Sequence, residues 1–383
     1  MRTERRDNMK KLFLSKKAKY LVCAALAAAL VLTVVPVFAA NNTEPPKGAA
    51  AEAVTKTLTI DDAVKAAINT SSSLQSYNDS IPVTNKKISD LYTSLLDATD
   101  LDTSNSVQAQ IWQAESSRDA ADANAVVTKQ QLTLQVWNAF ESVASAQNSL
   151  TLTDQSLDIQ KRQLDISKLK LKLGMMSQND YNSAESSYNK AVADRATKVT
   201  AIDTAFASLN KLMGTSLSTR WNLDFTVDYA PMKAVNLTAD IQAACDASPT
   251  VKSDTTAVKI AQFQIDTFDP YADTQAQSLD QLNATLNSDK RSLDDAKTSI
   301  EQKVTSAYTS IIQQESGYAS LQAALGGLQT QLNVAQVQLK LGMTTQLNVD
   351  NINLQIAQQE ESIRSAAVTH AIAVMQYGWP NTL

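Results

Sequence analysis

The chain has 383 residues, enough for one large or two ordinary domains, yet only eight glycines, eight prolines and 5% aromatic residues. That is too few turn formers for a compact α/β enzyme; it suits long helices with narrow apolar seams. The formal charge is −5, and removing residues 1–39 takes eight basic and two acidic residues from totals of 34 and 39, leaving −11. So acidic a chain is a poor match for nucleic acid.

The first segment reads as a secretory targeting signal. A basic stretch to Lys19 precedes LVCAALAAALVLTVVPVFAA, Leu21 to Ala40, which ends on Val37-Phe38-Ala39. This pattern predicts a signal peptide at residues 1–39, cut after Ala39 or Ala40. The apolar run is also about long enough to span a bilayer, so retention as an anchor stays open. Residues 40–57 read as a linker. Cys23 leaves with the signal and Cys245 is then alone, so no intramolecular disulfide forms and stability comes from packing.

Two repeats follow, at 58–236 and 237–383. Leu58–Ser76 (LTIDDAVKAAINTSSSLQS) opens the first and Leu237–Ser253 (LTADIQAACDASPTVKS) the second, with Thr59 and Thr238 as expected helix caps. Breaks are expected at Asp97–Ser106 (DATDLDTSNS) and at Thr267–Asp273 (TFDPYAD), where Pro270 ends a helix. Each half then carries a helix of nearly 70 residues, about 100 Å long, and a third helix of about 35.

On the first long helix Val136, Val143, Leu150, Leu157, Leu164 and Leu171 recur every seven residues, as do Leu152, Ile159, Ile166 and Leu173. The second long helix repeats both stripes, with Leu325, Leu332 and Leu339, and with Val334 and Leu341. A period of seven is a coiled-coil seam. Two seams on opposite sides give the helix two neighbours, as in a tube wall or in the middle of a solid bundle; the pattern alone leaves both open.

Between the long helix and the third, LKLGMMSQNDYNSA (Leu171–Ala184) and LKLGMTTQLNVDNI (Leu339–Ile352) place the same turn 168 residues apart. The glycine suits the left-handed end of a helix. Ser177 or Thr345 caps the next helix, and Asp180 sits where a carboxylate meets the positive end of its dipole. LNKLMG, ending at Gly214, and AVMQYG, ending at Gly378, each close a helix on glycine. Three landmarks in the same order indicate an internal duplication.

The ordered set, from about residue 58 to 380, resembles the TolC-like outer membrane efflux protein family. Leu58, Thr59 and Ala63 match its opening helix; Gly174, Ser177 and Asp180, then Gly342, Thr345 and Asn348, match its turn. The resemblance implies an all-α fold of duplicated long antiparallel coiled-coil helices in the style of the TolC α-barrel. It also implies a homotrimer whose six turns form one end of a tube, meeting a periplasmic adaptor (membrane fusion protein) and an inner-membrane transporter. The docking turn would then comprise Gly174, Ser177, Asp180, Gly342, Thr345, Asn348 and Asp350. As residues alone, they are equally those of a well-capped hairpin.

The chain departs from the family in two places. Both break segments are too short for a pair of membrane strands, so no transmembrane β-barrel is expected. Where members often carry paired aspartates lining the constriction, Asn348 and Asn351 stand here with Asp350 between them. The expected function is a passive helical conduit or docking element in the cell envelope, without catalysis, metal or cofactor. The alternative is a secreted coiled-coil structural or adhesion spacer. His370 is the lone histidine and reads as a helix-surface residue; with no second histidine, neither a metal cluster nor a nucleophile–histidine arrangement is indicated.

Overall fold

The computed structural model describes residues 57–269 and 277–380. The expected signal peptide, most of the expected linker and Pro270 lie outside the described residues. Strand β1 (Thr57–Thr59) leads into helices α1 (Ile60–Thr70), α2 (Ser72–Leu96), α3 (Leu101–Lys172) and α4 (Gln178–Met213). Strand β2 (Asn222–Asp224) and an extended connector lead into α5 (Leu237–Ala247), α6 (Pro249–Asp266), α7 (Leu279–Lys340) and α8 (Gln346–Tyr377). Helices α5 to α8 repeat α1 to α4 in order, with 72 residues in α3 and 62 in α7.

Local chemistry sets the helix starts. Thr59, Ser71, Asp100 and Ser248 each accept a hydrogen bond from the backbone N–H three residues on. Ser278 and Gln281 form a reciprocal capping box. Thr238 does not cap α5: the helix begins one residue earlier and Asn236 takes that role. The first break is narrower than expected, only residues 97–100, because Asp100 caps α3 and residues 101–106 are already helical. Pro82 lies inside α2. Its missing N–H falls on the exposed side of the helix, where water can serve the freed carbonyl.

The packing distinguishes wall from bundle. Helix α3 runs against α2 and α4 on one side and against α6 and α8 on the other, while α7 packs on α6 and α8. Helices α4 and α7 make no extended contact with each other. Toward the LKLGM turns the order is therefore α4, α3, α8, α7; toward the other end it is α2, α3, α6, α7. This is a wall one helix thick with two open edges, and the solid-bundle alternative is excluded.

The main core sits at the waist, where α1 folds over α3 and α4. Phe140, Val136, Val143, Leu209, Phe206 and Met213 are buried there with Leu58 and Ala63. Strand β1 pairs in parallel with β2, Leu58 opposite Leu223, and brings Trp221 and Phe225 onto the same cluster. A smaller cluster of Ala244, Cys245, Val251, Ile300 and Val304 repeats the arrangement under α5. Among the described residues β1 and β2 are the only strands, so no barrel is formed there, and no helix is long and apolar enough to cross a membrane.

Burying a large apolar side chain contributes roughly 1.5–3 kcal/mol, and Phe140 lies at the centre of the larger cluster. Phe140→Ala is expected to lower unfolding stability by about 3–5 kcal/mol, read as a shifted urea midpoint. Ala substitution of exposed Leu96 should leave the midpoint nearly unchanged.

Candidate functional site

The two LKLGM turns share one backbone design. Gly174 and Gly342 adopt φ values of 67° and 70°. Met175 N–H donates to the Lys170 carbonyl and Met343 N–H to that of Gln338, both at 2.8 Å. Gly174 N–H and Gly342 N–H close the inner bonds to Leu171 and Leu339 at 3.0 Å. This is the Schellman arrangement, which satisfies the last carbonyls of α3 and α7. Ser177 Oγ accepts from Asp180 N–H at 3.1 Å and donates to the Asp180 carboxylate at 2.8 Å. Thr345 Oγ1 accepts from Asn348 N–H at 3.4 Å, with no carboxylate to complete the pair.

The structure brings both turns to one end of the wall. Asp350 reaches across to Arg162 of α3 and also accepts from Gln346 at 2.9 Å. It therefore ties the second hairpin to the first. This pair lies a few helical turns from the tips and adds to the packing of α8 along α3. The turns themselves expose their apolar side chains: Met175 and Met343 are each 72% accessible, and Leu173 and Leu341 are also exposed. Lys168, Lys170, Lys172 and Lys340 cluster at the helix C-termini, where a cation meets the negative end of the dipole.

Farther up, polar side chains hold the repeats together. Arg364 of α8 donates to Glu141 of α3 at 2.7 and 3.0 Å and to Glu361 at 2.7 and 2.8 Å. Asn148 donates to Glu361 at 2.6 Å. Hydrogen bonds to Glu361, and then to Glu141, hold the guanidinium further above its already high range. Nearer the tips, Arg195 of α4 pairs with Asp154 of α3 at 2.6 Å. His370 is not on the surface but 2% exposed, with Nε2 3.2 Å from Glu315. The same Glu315 oxygen accepts Met232 N–H at 2.5 Å, and Tyr229 stacks on Tyr318 with ring centres 3.6 Å apart. These contacts strap the inter-repeat connector onto α7 and α8.

Buried Asn210 holds the connector's other end, donating to the Thr219 carbonyl at 2.8 Å and accepting from Trp221 at 2.7 Å. The apolar residues around His370, AAVTHAIAV, were the available sign of its burial. Gly214 is left-handed as expected, but Gly378 is not: at φ −70° it ends α8 in an ordinary helical conformation. Among the described residues no three His, Cys, Asp or Glu side chains gather as a metal site.

A one-helix-thick wall of duplicated hairpins, ending in paired turns, is the helical architecture that the resemblance to TolC-like proteins implies. Residues 63–215 match the family described as outer membrane efflux protein. The fold is similar to the outer membrane protein VceC of Vibrio cholerae, at 13% identity, TM-score 0.60, and coverage of 85% of this chain and 97% of that one. It is similar also to the Neisseria gonorrhoeae MtrE outer membrane channel, at 14% identity, TM-score 0.58 and coverage of 85% and 89%. The Campylobacter jejuni CmeC outer membrane channel matches at 9% identity, TM-score 0.58 and coverage of 90% and 92%. No curated protein matches the chain. Residues 63–215 thus match the outer membrane efflux protein family, and the chain is similar in fold to these outer membrane channels over most of its length.

Two outcomes follow for stability. A Cβ at Gly174 meets nothing within 4 Å, whereas at Gly214 it would lie 2.8 Å from Thr70 Cγ2. Gly174→Ala should therefore cost about 1 kcal/mol of backbone strain, and Gly214→Ala clearly more, in paired urea titrations. Arg364→Met strands two partly buried carboxylates. It should cost about 2 kcal/mol, below the range for a fully buried pair, and Glu361→Gln combined with it should recover part of the loss.

Proposed function

We propose that this chain is an efflux or export component of the cell envelope, forming a passive helical conduit by association of identical copies. The observation that carries this reading is the pair of open edges. A wall one helix thick, with a coiled-coil seam on each edge helix, is incomplete alone. On α4, Val192 and Val199 are exposed and seven residues apart; on α7, Val334, Val337 and Leu341 are exposed on one face. Identical chains can pair the α7 edge of one with the α4 edge of the next, a heterologous contact that closes into a ring.

Three copies would place six turns at one aperture. Gly174, Ser177, Asp180, Gly342, Thr345, Asn348 and Asp350 would then form or support the surface that meets a periplasmic adaptor and, through it, an inner-membrane transporter. The trimer and these partners follow from the family resemblance, as does placement in the envelope after export. The repeats at 58–236 and 237–383 would each supply one hairpin of the wall. No side chain is assigned to catalysis; the work is conduction along the tube. Asp350, engaged by Arg162, is a positioning residue rather than a free carboxylate at the aperture.

The edge residues are exposed in the single chain, so their substitution should leave the fold intact. Val334→Asp with Leu341→Asp is expected to abolish association, read as a fall from a trimer mass to a monomer mass in light scattering, with unchanged helicity. A wild-type monomer at every concentration would overturn the conduit and favour the spacer reading.

A further inference from the structure

Between the turns and the waist, the wall has one charged face and one that carries little charge. On α8, Asn348, Asn351, Gln355, Gln358, Ser362 and Thr369 are exposed at spacings of three, four or seven residues, so they form one stripe. On α3, exposed Gln135, Asn138 and Ser142 and half-buried Ser149 and Ser156 follow the same spacing. Residues 316–339 of α7 contain no lysine, arginine, aspartate or glutamate. Two hollows show that these stripes share a face. Ser149 and Ser156 line the first with Gln358. Ser145 lines the second with Ser320 of α7 and with Ser362 and Thr369 of α8.

Charge enters this face at two places. Glu361 reaches the second hollow, where Asn148 and Arg364 hold it. On α4, Asp194 and Lys198 line the first hollow, and Lys190 stands one turn before Asp194. Lysine outnumbers aspartate there, and no band of carboxylates forms. The opposite face begins two positions along each helix, about 200° round. Thr151 of α3 and Glu360 of α8 line a hollow on that side, and exposed Asp158 lies seven residues beyond Thr151. The connector sits on the same side: Trp137, fourteen residues before Thr151, has its ring 5.9 Å from that of Phe225.

We propose that the face away from the connector lines the passage, and that the passage takes anionic and neutral polar cargo as readily as cationic cargo. A connector strapped to the inner side of a closing ring would obstruct its bore, so the ring leaves it outside. Serine, threonine, asparagine and glutamine offer both donors and acceptors to a solute of either sign. Without a band of carboxylates, no potential builds up along the passage to exclude anions. The inference rests on the conduit reading and names the class of cargo that the conduit admits.

The full chain with Cys23→Ser and Cys245→Ala receives one new cysteine. Gln355→Cys or Ser320→Cys places it on the face of low charge, and Thr151→Cys on the connector face; all three positions are exposed. Trimer fractions are labelled with a biotin maleimide and then offered streptavidin, a protein too wide to enter the tube. Capture is expected at Thr151→Cys alone. Small methanethiosulfonates bearing a trimethylammonium or a sulfonate group are then compared at about 10 mM salt, where screening reaches about 30 Å. Each rate is divided by that of the same reagent with a free thiol. The two normalised rates at Gln355→Cys and Ser320→Cys should agree within about threefold, against the roughly tenfold or more by which a cleft of one charge sign favours its counter-ion.

A preference of about tenfold for either sign overturns the cargo class and leaves the conduit standing. Streptavidin capture at Gln355→Cys in the trimer, equal to that at Thr151→Cys, overturns the assignment of the faces. A chain that stays monomeric in light scattering at every concentration overturns the conduit reading and this inference with it. The three failures are therefore distinguishable.

Discussion

Everything in this fold depends on α3 having neighbours on both sides. A helix of 72 residues spans about 108 Å, far beyond what its own hydrogen bonds keep straight and dry. Most helical stability comes from packing an apolar face, and here two faces must be packed over that length. Val136 and Val143 meet the requirement fully at the waist, and Leu150, Leu157, Leu164 and Leu171 remain half-buried down to the turn. The opposite stripe is half-buried at Leu152 and Ile159 but open at Ile166 and Leu173. One seam is therefore complete within the chain, and the other fades toward the tips.

A wall this thin cannot bury enough to hold itself in register, and the waist compensates. Leu58 of β1 and Phe225 of the connector come from opposite ends of the first repeat and meet on the same core. The connector is then fastened at Asn210 on one side and at Glu315 on the other. The polar staples lie where apolar packing thins. Arg364 with Glu141 joins the repeats below the waist, and Arg162 with Asp350 joins them near the turns. The more exposed pair, Arg162 with Asp350, contributes little to stability. The effect of both pairs is directional: an arginine fork matched to a carboxylate sets a register that alternative apolar contacts would leave loose.

Much of this was legible in the sequence, for identifiable reasons. Periodicity of seven, glycine scarcity and repeated turns are local signals, so the long helices, the duplication and the capping at Ser177 and Thr345 could be read directly. The choice of wall over bundle could not, because both need two seams; only the lack of an extended contact between α4 and α7 decides it. The placement of His370 was misread because a lone histidine says nothing of its partner, and Glu315 is 55 residues away. Thr238 was misread as a cap because Asn236, two residues earlier, is as good an acceptor. The joining of the two hairpins by Arg162 and Asp350, 188 residues apart, has no sequence signature at all.

The duplication makes the two tips chemically alike but not mechanically equal. The first hairpin has α3, flanked on both sides within the chain; the second has α7, which packs on α8 and leaves its other side bare. The same asymmetry appears in the cores, since the cluster under α1 contains Phe140, Phe206 and Met213 while its counterpart under α5 has no buried aromatic residue. Ser177 is locked to Asp180 by a reciprocal pair, whereas Thr345 caps Asn348 by a single long bond. In an isolated chain the second tip is thus the more weakly held. Covering the Val334–Leu341 face with a neighbour's α4 would give α7 the second flank that α3 already has. The two turns, alike in backbone but not in capping, would be held more equally if that face were covered, which is what the proposed ring of chains would do.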